Sequence, residues 1–476
     1  MMIGIYLVLS FVFALILAFV HTRVVSYCIV WSFMVLQWVF TVHAFTHRGL
    51  TTLEFFTFDP LGLILLGILS ILCVPALYHS YIFFNTRRNI PRQRGIYYAA
   101  MVILIASLSA AYLTNHLAVT WIFVELTTLS ASALIYHNRN ERTLEATWKY
   151  LFVCSISITL VFIGILFLSM ALEQPGFQEL SYQGLITQAP NLNPSWLKLA
   201  FLFIFTGFTV KAGLVPMYNV GIDAKDKAPG PAGALLASVL VNIGFLGIFR
   251  VYGVMMNTSI ASWAATILII GGILSLFVSA VYILRVKNLK RMLAYSGVEH
   301  IGIVMLGIAS GGAGYYGAIL HLILHSFAKP ALFFQVDQVY RIYRSKSIYD
   351  IGNYFSYNTA GALVLLFSFF IITAIPPSGM FISEFLIFRS IFESGNIGLL
   401  ATVLLLLTLI VWALGKNIFK MLFIKTVGFQ DDTIIKIHPV ESLSQFMLLA
   451  LVIYLGLNPP GELVNMIREA TQHLPR

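Results

Sequence analysis

Within the apolar run "GAILHLILHSFAKPALFF", His321, His325 and Lys329 stand four residues apart. On a helix this spacing puts all three on one face. Imidazoles titrate near neutral pH and a lysine removed from water releases its proton more easily, so such a line is suited to holding and passing protons. Three more ionisable groups sit in equally apolar surroundings: Glu125 in "VTWIFVELTTLSASALI", Lys211 in "FIFTGFTVKAGLVPMYN" and Glu384 in "FFIITAIPPSGMFISEFLIF". A charge at the centre of a membrane helix costs on the order of 3 kcal/mol, so four such positions need a function or a partner. Burial disfavours a lone charge and a nearby opposite charge restores it. Glu125 and Lys211 therefore read as a switchable pair, ionised together and shedding the lysine's proton when separated.

Each reading has a structural alternative. Glu125 and Lys211 can be an ion pair that only fixes helix packing. Lys329 can snorkel to an interface, against which stand roughly fifteen apolar residues before it and about eight after. His321 and His325 can be a metal pair, but no third ligand is evident and no Glu follows the first His as in zinc proteases. Plain hydrogen bonding between helices also remains open for them. His300, after Glu299 in "LAYSGVEHIGIVMLG", is placed nearer the cytoplasmic end of its span, as a proton uptake point or a packing group.

The elements that must position these groups are membrane helices. Hydrophobic residues make up 59% of the chain and charged residues 10%, with a mean hydropathy of +0.89; soluble domains carry roughly 25% charged residues. Apolar windows able to cross ~30 Å of hydrocarbon recur about fourteen times, near 3–21, 24–44, 59–80, 96–113, 117–137, 148–172, 197–219, 230–256, 261–284, 292–310, 314–339, 358–393 (interrupted), 397–424 and 443–458. No separate soluble domain fits between them. The first window lacks a basic leader and a small-residue cleavage site, which marks a retained helix rather than a signal peptide.

The net charge of +10 does not indicate nucleic acid, because Lys and Arg collect in alternate loops. The third loop holds Arg87, Arg88, Arg92 and Arg94, and the ninth Arg285, Lys287, Lys290 and Arg291, whereas the even-numbered loops hold little beyond Arg48. The positive-inside rule then makes odd-numbered loops cytoplasmic and puts both termini on the outer side of a bacterial or archaeal cytoplasmic membrane. The polar loops "DAKDKAPGP" and "RVKNLKRMLAYSG" read as solvated faces or docking surfaces. Cys28, Cys73 and Cys154 are isolated, no Gly-rich phosphate loop occurs, and no strand is expected. No cofactor or metal is expected in this chain, so redox or nucleotide chemistry must come from other chains.

Two spans are broken. Around Lys211 lie Gly207, Gly213 and Pro216; before Glu384 lie Pro376, Pro377 and Gly379. Proline removes an amide and clashes with the preceding turn, and an interrupted helix in lipid is tolerated only beside protein or water. Ordinary proline kinks are the plainer alternative. The breaks fall in the seventh and twelfth spans, five apart, which implies two inverted five-helix repeats, each with a broken helix. The expected fold is an all-α polytopic membrane protein: helices 1–3 in 1–95, a first repeat in 96–256, a second in 257–425, and a C-terminal helix with a short tail in 426–476.

The segments "KAGLVPMYNVGIDAKDKAPGPAGALL", "NLKRMLAYSGVEHIG", "HLILHSFAKPALFF" and "PPSGMFISEF" resemble, in order and spacing, the signatures of the antiporter-like subunits of respiratory complex I, Mrp-type cation/proton antiporters and energy-converting nickel-iron hydrogenases. "SGVEHIG" and the Glu of "SEF" are most similar to the hydrogenase-type, formate hydrogenlyase-like membrane subunits. The resemblance implies a proton relay in which Glu125 is the glutamate of the fifth helix, Lys211 its partner on the broken seventh, Lys329 the central lysine flanked by His321 and His325, and Glu384 the terminal group. Asn242 stands where relatives carry Lys or His, so a relay there needs water. Tyr218, Val220, Gly221 and Ile222 replace the family's His, Trp, Leu and Pro, while Asp223 is kept. The long lateral helix that some members add is not expected after the last span.

The implied function is proton translocation, with Na⁺ as the other candidate ion, in a redox-driven complex of other membrane subunits and a peripheral iron-sulfur or nickel-iron arm. A non-catalytic pumping subunit is expected, and the alternatives are an Mrp-like antiporter module or a membrane subunit of an inorganic-carbon uptake complex. A scaffold for a peripheral enzyme is the remaining rival, and it gains nothing from buried lysines. The relay is built of lysines and histidines, which carry protons, and lacks the carboxylate and carbonyl cluster that a dehydrated Na⁺ prefers.

Overall fold

The computed structural model describes residues 2–86, 90–172, 180–426 and 435–474; Arg87 and Arg88 of the third loop lie outside them. The first helices are α1 (Met2–Phe19), α2 (Arg23–Thr46), α3 (Pro60–Asn85), α4 (Pro91–Leu113), α5 (Leu117–Ile135) and α6 (Glu141–Ala171). Next come α7 (Tyr182–Gln188), α8 (Pro194–Ala212), α9 (Asn219–Lys227), α10 (Gly230–Ala237), α11 (Val239–Met256), α12 (Ala261–Arg285), α13 (Leu289–Ser310) and α14 (Ala313–Tyr343). The chain closes with α15 (Tyr354–Tyr357), α16 (Thr359–Ile372), α17 (Gly379–Glu393), α18 (Ile397–Phe423), α19 (Leu443–Leu457) and α20 (Gly461–Ala470).

Thirteen helical segments among the described residues are long and apolar enough to cross a membrane. The interrupted window at 358–393 is divided between α16 and α17. Several boundaries depart from expectation. α6 starts at Glu141 rather than near 148, because Asn140 caps it and Thr143 completes the capping box. The span at 230–256 is interrupted at Ser238, whose hydroxyl donates to the Ala234 carbonyl at 2.7 Å. A short antiparallel hairpin, Thr51–Thr52 with Phe56–Thr57, forms where no strand was expected.

Both expected breaks are present, with one correction. α8 runs uninterrupted through Gly207 and ends at Ala212, where Gly213 adopts φ +76° and returns its amide to the Thr209 carbonyl. Only glycine enters that left-handed region without penalty. At the second break α16 stops at Ile372, and Ser378 starts α17 by accepting from the Phe381 amide. The Val215–Pro216 and Pro376–Pro377 bonds are cis. "DAKDKAPGP" is not a solvated loop: it forms most of α9, with Lys225 and Asp226 buried. Lys290 of the other polar loop is buried as well, and Asn288 caps α13.

The chain forms two compact units, one of residues 1–228, 239–267 and 465–476, the other of 229–238 and 268–464. In the first, α4 packs against α1, α3, α5 and α11. Here Gln37 donates to Ser70 at 2.9 Å and accepts from Tyr6 at 2.5 Å, a buried polar contact that ties α1, α2 and α3. In the second unit α14 is central, packed by α10, α13, α16, α17 and α19. Its buried face carries the run quoted at the outset.

Glycines set how closely the helices meet. A Cβ on Gly207 would lie 2.4 Å from Val161 Cγ2 and 2.5 Å from the Ser157 carbonyl, and one on Gly164 would lie 2.5 Å from Ile204. α6 and α8 therefore touch nearly backbone to backbone, a small-residue contact typical of membrane helices. Lys211 follows Gly207 by one turn and so is carried against α6. Overpacking costs about 1–3 kcal/mol. Gly207→Leu is accordingly expected to lower the melting temperature of the detergent-solubilised protein by several degrees; equal melting of the variant would contradict the tight α6–α8 contact.

Candidate functional site

In the first unit, Lys211 lies in the last turn of α8, the end of a helix dipole that favours a cation. It is buried, and its ammonium donates to Thr128 Oγ1 at 2.8 Å and to the Tyr150 hydroxyl at 3.2 Å. Thr128 in turn donates to Glu125 at 3.3 Å, one turn earlier on α5, and Ser155 of α6 donates to the other carboxylate oxygen at 3.3 Å. Glu125 and Lys211 thus meet through a hydroxyl rather than as the direct pair expected from sequence. α5, α6 and α8 each supply part of the site: Glu125 and Thr128 one turn apart, Tyr150 and Ser155 on the neighbouring helix, and Lys211 at the break.

Asn242 is fully buried on α11 of the same unit, and Asp223 is half-buried on α9. Sequence reasoning passed over Lys225. A Cβ added to Gly213 would lie 3.9 Å from its Nζ, so its ammonium sits beside the break that ends α8. α9 is not one of the apolar spans, and burial pushes this ammonium down to about 8.

The second unit assembles the other groups around α14. Lys329 is fully buried and donates to Ser296 Oγ at 2.5 Å and to the Leu293 carbonyl at 3.2 Å, both on α13. His300 lies mid-helix on α13, not near a span end, and is fully buried. Its Nδ1 is 3.2 Å from His321 Nε2, and His321 Nδ1 is 2.9 Å from Ser383 Oγ on α17. The His325 ring centroid is 5.3 Å from that of His300. Glycine again fixes the approach: a Cβ on Gly317 would lie 3.1 Å from the Ser383 carbonyl, and His321 follows one turn on.

Glu384 is buried in the second turn of α17. It comes within 4.8 Å of both His300 and His321. Glu299, noted in the sequence only as the neighbour of His300, is buried too and lines a cavity of about 490 Å³ together with Glu384, Thr373, Phe385, Thr408 and Trp412, among others. Ser296, Ser383, Thr128 and Tyr150 gave no sequence signal, because one hydroxyl on a membrane helix is like any other until its partner is known.

The family model described as NADH:quinone oxidoreductase/Mrp antiporter, TM matches residues 114–410, which include Glu125, Lys211, Lys329 and Glu384. This chain belongs to that family. Relatives similar to it include the hydrogenase-4 component F homolog of Methylacidiphilum infernorum (isolate V4), 28% identical, with 80% of each chain covered. The fold superposes on a chain of the membrane-bound sulfane sulfur reductase, an archaeal respiratory membrane complex, with TM-score 0.86 at 19% identity, covering 99% of this chain and 97% of the other. A chain of Thermus thermophilus respiratory complex I matches with TM-score 0.82 at 18% identity, covering 100% of both. At those identities the structural likenesses establish the fold, that of the antiporter-like membrane subunits, and the protein is an integral membrane protein.

Lys225 makes one part of this site testable without a transport assay. An ammonium whose folded value lies below its usual 10.5 penalises the folded state while protonated, and the penalty fades as pH rises through about 8 towards 10.5. Lys225→Met is expected to be more stable than the parent near pH 7, by a margin that shrinks from about pH 7 to about pH 9.5. Scanning fluorimetry in detergent reads the gap; a constant gap across that range would contradict the buried cation.

Proposed function

We propose that the chain is a proton-translocating membrane subunit of a redox-driven complex. The observation that carries this reading is the way the buried Lys211 is held. It donates to the Thr128 and Tyr150 hydroxyls and, among the described residues, forms no direct ion pair, while Lys329 donates to the Ser296 hydroxyl and the Leu293 carbonyl. An ammonium with neutral partners can lose its proton without stranding a buried anion, whereas breaking a buried ion pair typically costs about 3–5 kcal/mol. The arrangement favours exchange over structural locking.

In this reading Glu125 biases Lys211 through Thr128, His300, His321 and His325 serve Lys329, and Glu384 is the terminal group of the second unit. Asn242 and Asp223 assist through water. The two helix breaks support an inverted repeat, and the basic odd-numbered loops support a cytoplasmic placement with both termini outside. Electron transfer is assigned to partner chains, other membrane subunits and a peripheral arm with iron-sulfur and nickel-iron centres, in keeping with the hydrogenase component among the relatives. Isolation from native membrane in mild detergent tests that assignment: co-isolated iron-sulfur proteins support it, and an assembly without any redox protein favours the Mrp side of the family.

Transport variants separate a relay from fixed charges. In proteoliposomes carrying the assembled complex, Glu125→Gln and Lys211→Ala should abolish proton transport, and Thr128→Val should slow it severalfold. Lys329→Arg should fail as well, since arginine keeps the charge but does not deprotonate in proteins. Wild-type pumping by Lys329→Arg would make residue 329 a packing charge. Ion identity gives a further test: transport should persist in sodium-free buffer, and a strict sodium requirement would assign the chain to cation exchange.

A further inference from the structure

α13, α14 and α17 bring together three metal-ligating side chains that the sequence separates. One ligand atom each of His300, His321 and Glu384 lies within 4.8 Å of the others, and all three residues are buried. We propose that this triad is a binding site for a zinc-class divalent ion. His321 and His325, one turn apart, suggested a metal pair without a third ligand; the fold instead pairs His321 with His300 and adds the carboxylate.

The geometry and the donor set agree with this assignment. His300 Nδ1 and His321 Nε2 are 3.2 Å apart. Two nitrogens on one tetrahedral zinc, each about 2.0–2.1 Å from the metal, are separated by about 3.3 Å. Two His and one carboxylate form a three-ligand set that leaves the fourth position to water. Ser383 holds the other ring nitrogen of His321 at 2.9 Å, the outer hydrogen bond that orients a ligating histidine. His300 Nε2 has no hydrogen-bond partner among the described residues, so the ring can turn without breaking a second contact. Glu384 lines the 490 Å³ cavity, which leaves room beside the carboxylate for the fourth ligand.

An ion bound here occupies the lone pairs through which His300, His321 and Glu384 would accept protons. Binding therefore blocks transfer past α17, a consequence that rests on the proposed proton relay; binding itself does not. Half-buried His43 in the last turn of α2 and exposed His47 just past its end, with ring centroids 4.0 Å apart, form the competing surface site and serve as the control.

The test is a titration of the purified full-length chain with Co²⁺, followed by its visible absorption, and with Zn²⁺, followed by retained metal. One equivalent of Co²⁺ should give the intense absorption of a four-coordinate site, and Zn²⁺ should displace it. His300→Gln, His321→Gln and Glu384→Gln should each weaken binding at least tenfold, and Ser383→Ala by roughly ten- to a hundredfold. His47→Gln should leave this absorption unchanged. Melting without metal identifies any variant that fails to fold, and Ser383→Ala, which keeps all three ligands, then decides. Absence of binding up to about a hundred micromolar, binding undiminished in the folded triad variants, or binding lost in His47→Gln would each overturn the site. Zinc-blocked pumping in proteoliposomes supports the blocking role. Metal binding by a chain that pumps no protons at all would leave the site standing and refute the relay instead.

Discussion

The ammonium groups of Lys211 and Lys329, enclosed in an apolar interior, set the terms for the helices around them. Such a group must be given hydrogen-bond acceptors from the protein, and here they come from neighbouring helices. α5 and α6 give Lys211 the Thr128 and Tyr150 hydroxyls; α13 gives Lys329 Ser296 and the Leu293 carbonyl. Close helix contact follows as a requirement. Glycines at 164 and 207 supply it on the α6–α8 face, and Gly317 supplies it where α14 meets α17.

The breaks serve the same end. Ending α8 at Gly213 places Lys211 where the helix dipole favours a cation, and starting α17 at Gly379 puts Glu384 in its second turn. A continuous helix would not give Lys211 that help. The freed backbone is largely satisfied locally: Gly213 and Leu214 both return their amides to Thr209, and Ile375 returns its own to Phe370. On the outer faces the chain shows what hydrocarbon permits, with Leu405 and Trp412 of α18 and Phe11 and Phe19 of α1 exposed.

The ionisable groups of the second unit are more crowded than those of the first. Three histidines, His300, His321 and His325, together with Lys329, Glu299 and Glu384, are buried on α13, α14 and α17, and two of the histidines are in hydrogen-bond contact. The same convergence that suits a proton relay makes a ligand set for a divalent ion, because both uses need lone pairs aimed at a common point in a site shielded from bulk water. Proton transfer and metal binding at this point are thus mutually exclusive occupations of the same atoms.

Hydropathy and charge periodicity are local properties, so the sequence alone determined the membrane helices, both breaks and the four charges within them, of which Lys211, Lys329 and Glu384 are buried and Glu125 is half-buried. Family signatures then named those charges as a set. What lies between them was not legible. Thr128, Ser296 and Ser383 are single hydroxyls among many, and their roles exist only because a lysine or histidine from another helix reaches them. His300 read as a group near a span end, since its contact with His321 depends on how α13 and α14 pack. Lys225 and Asp226 read as solvated because charged runs usually are, yet the fold turns them inward beside the first break. Local pattern decides where a chain crosses the membrane; which side chains meet there is a property of helix packing, settled by close approach at a few glycines that carry no charge signal of their own.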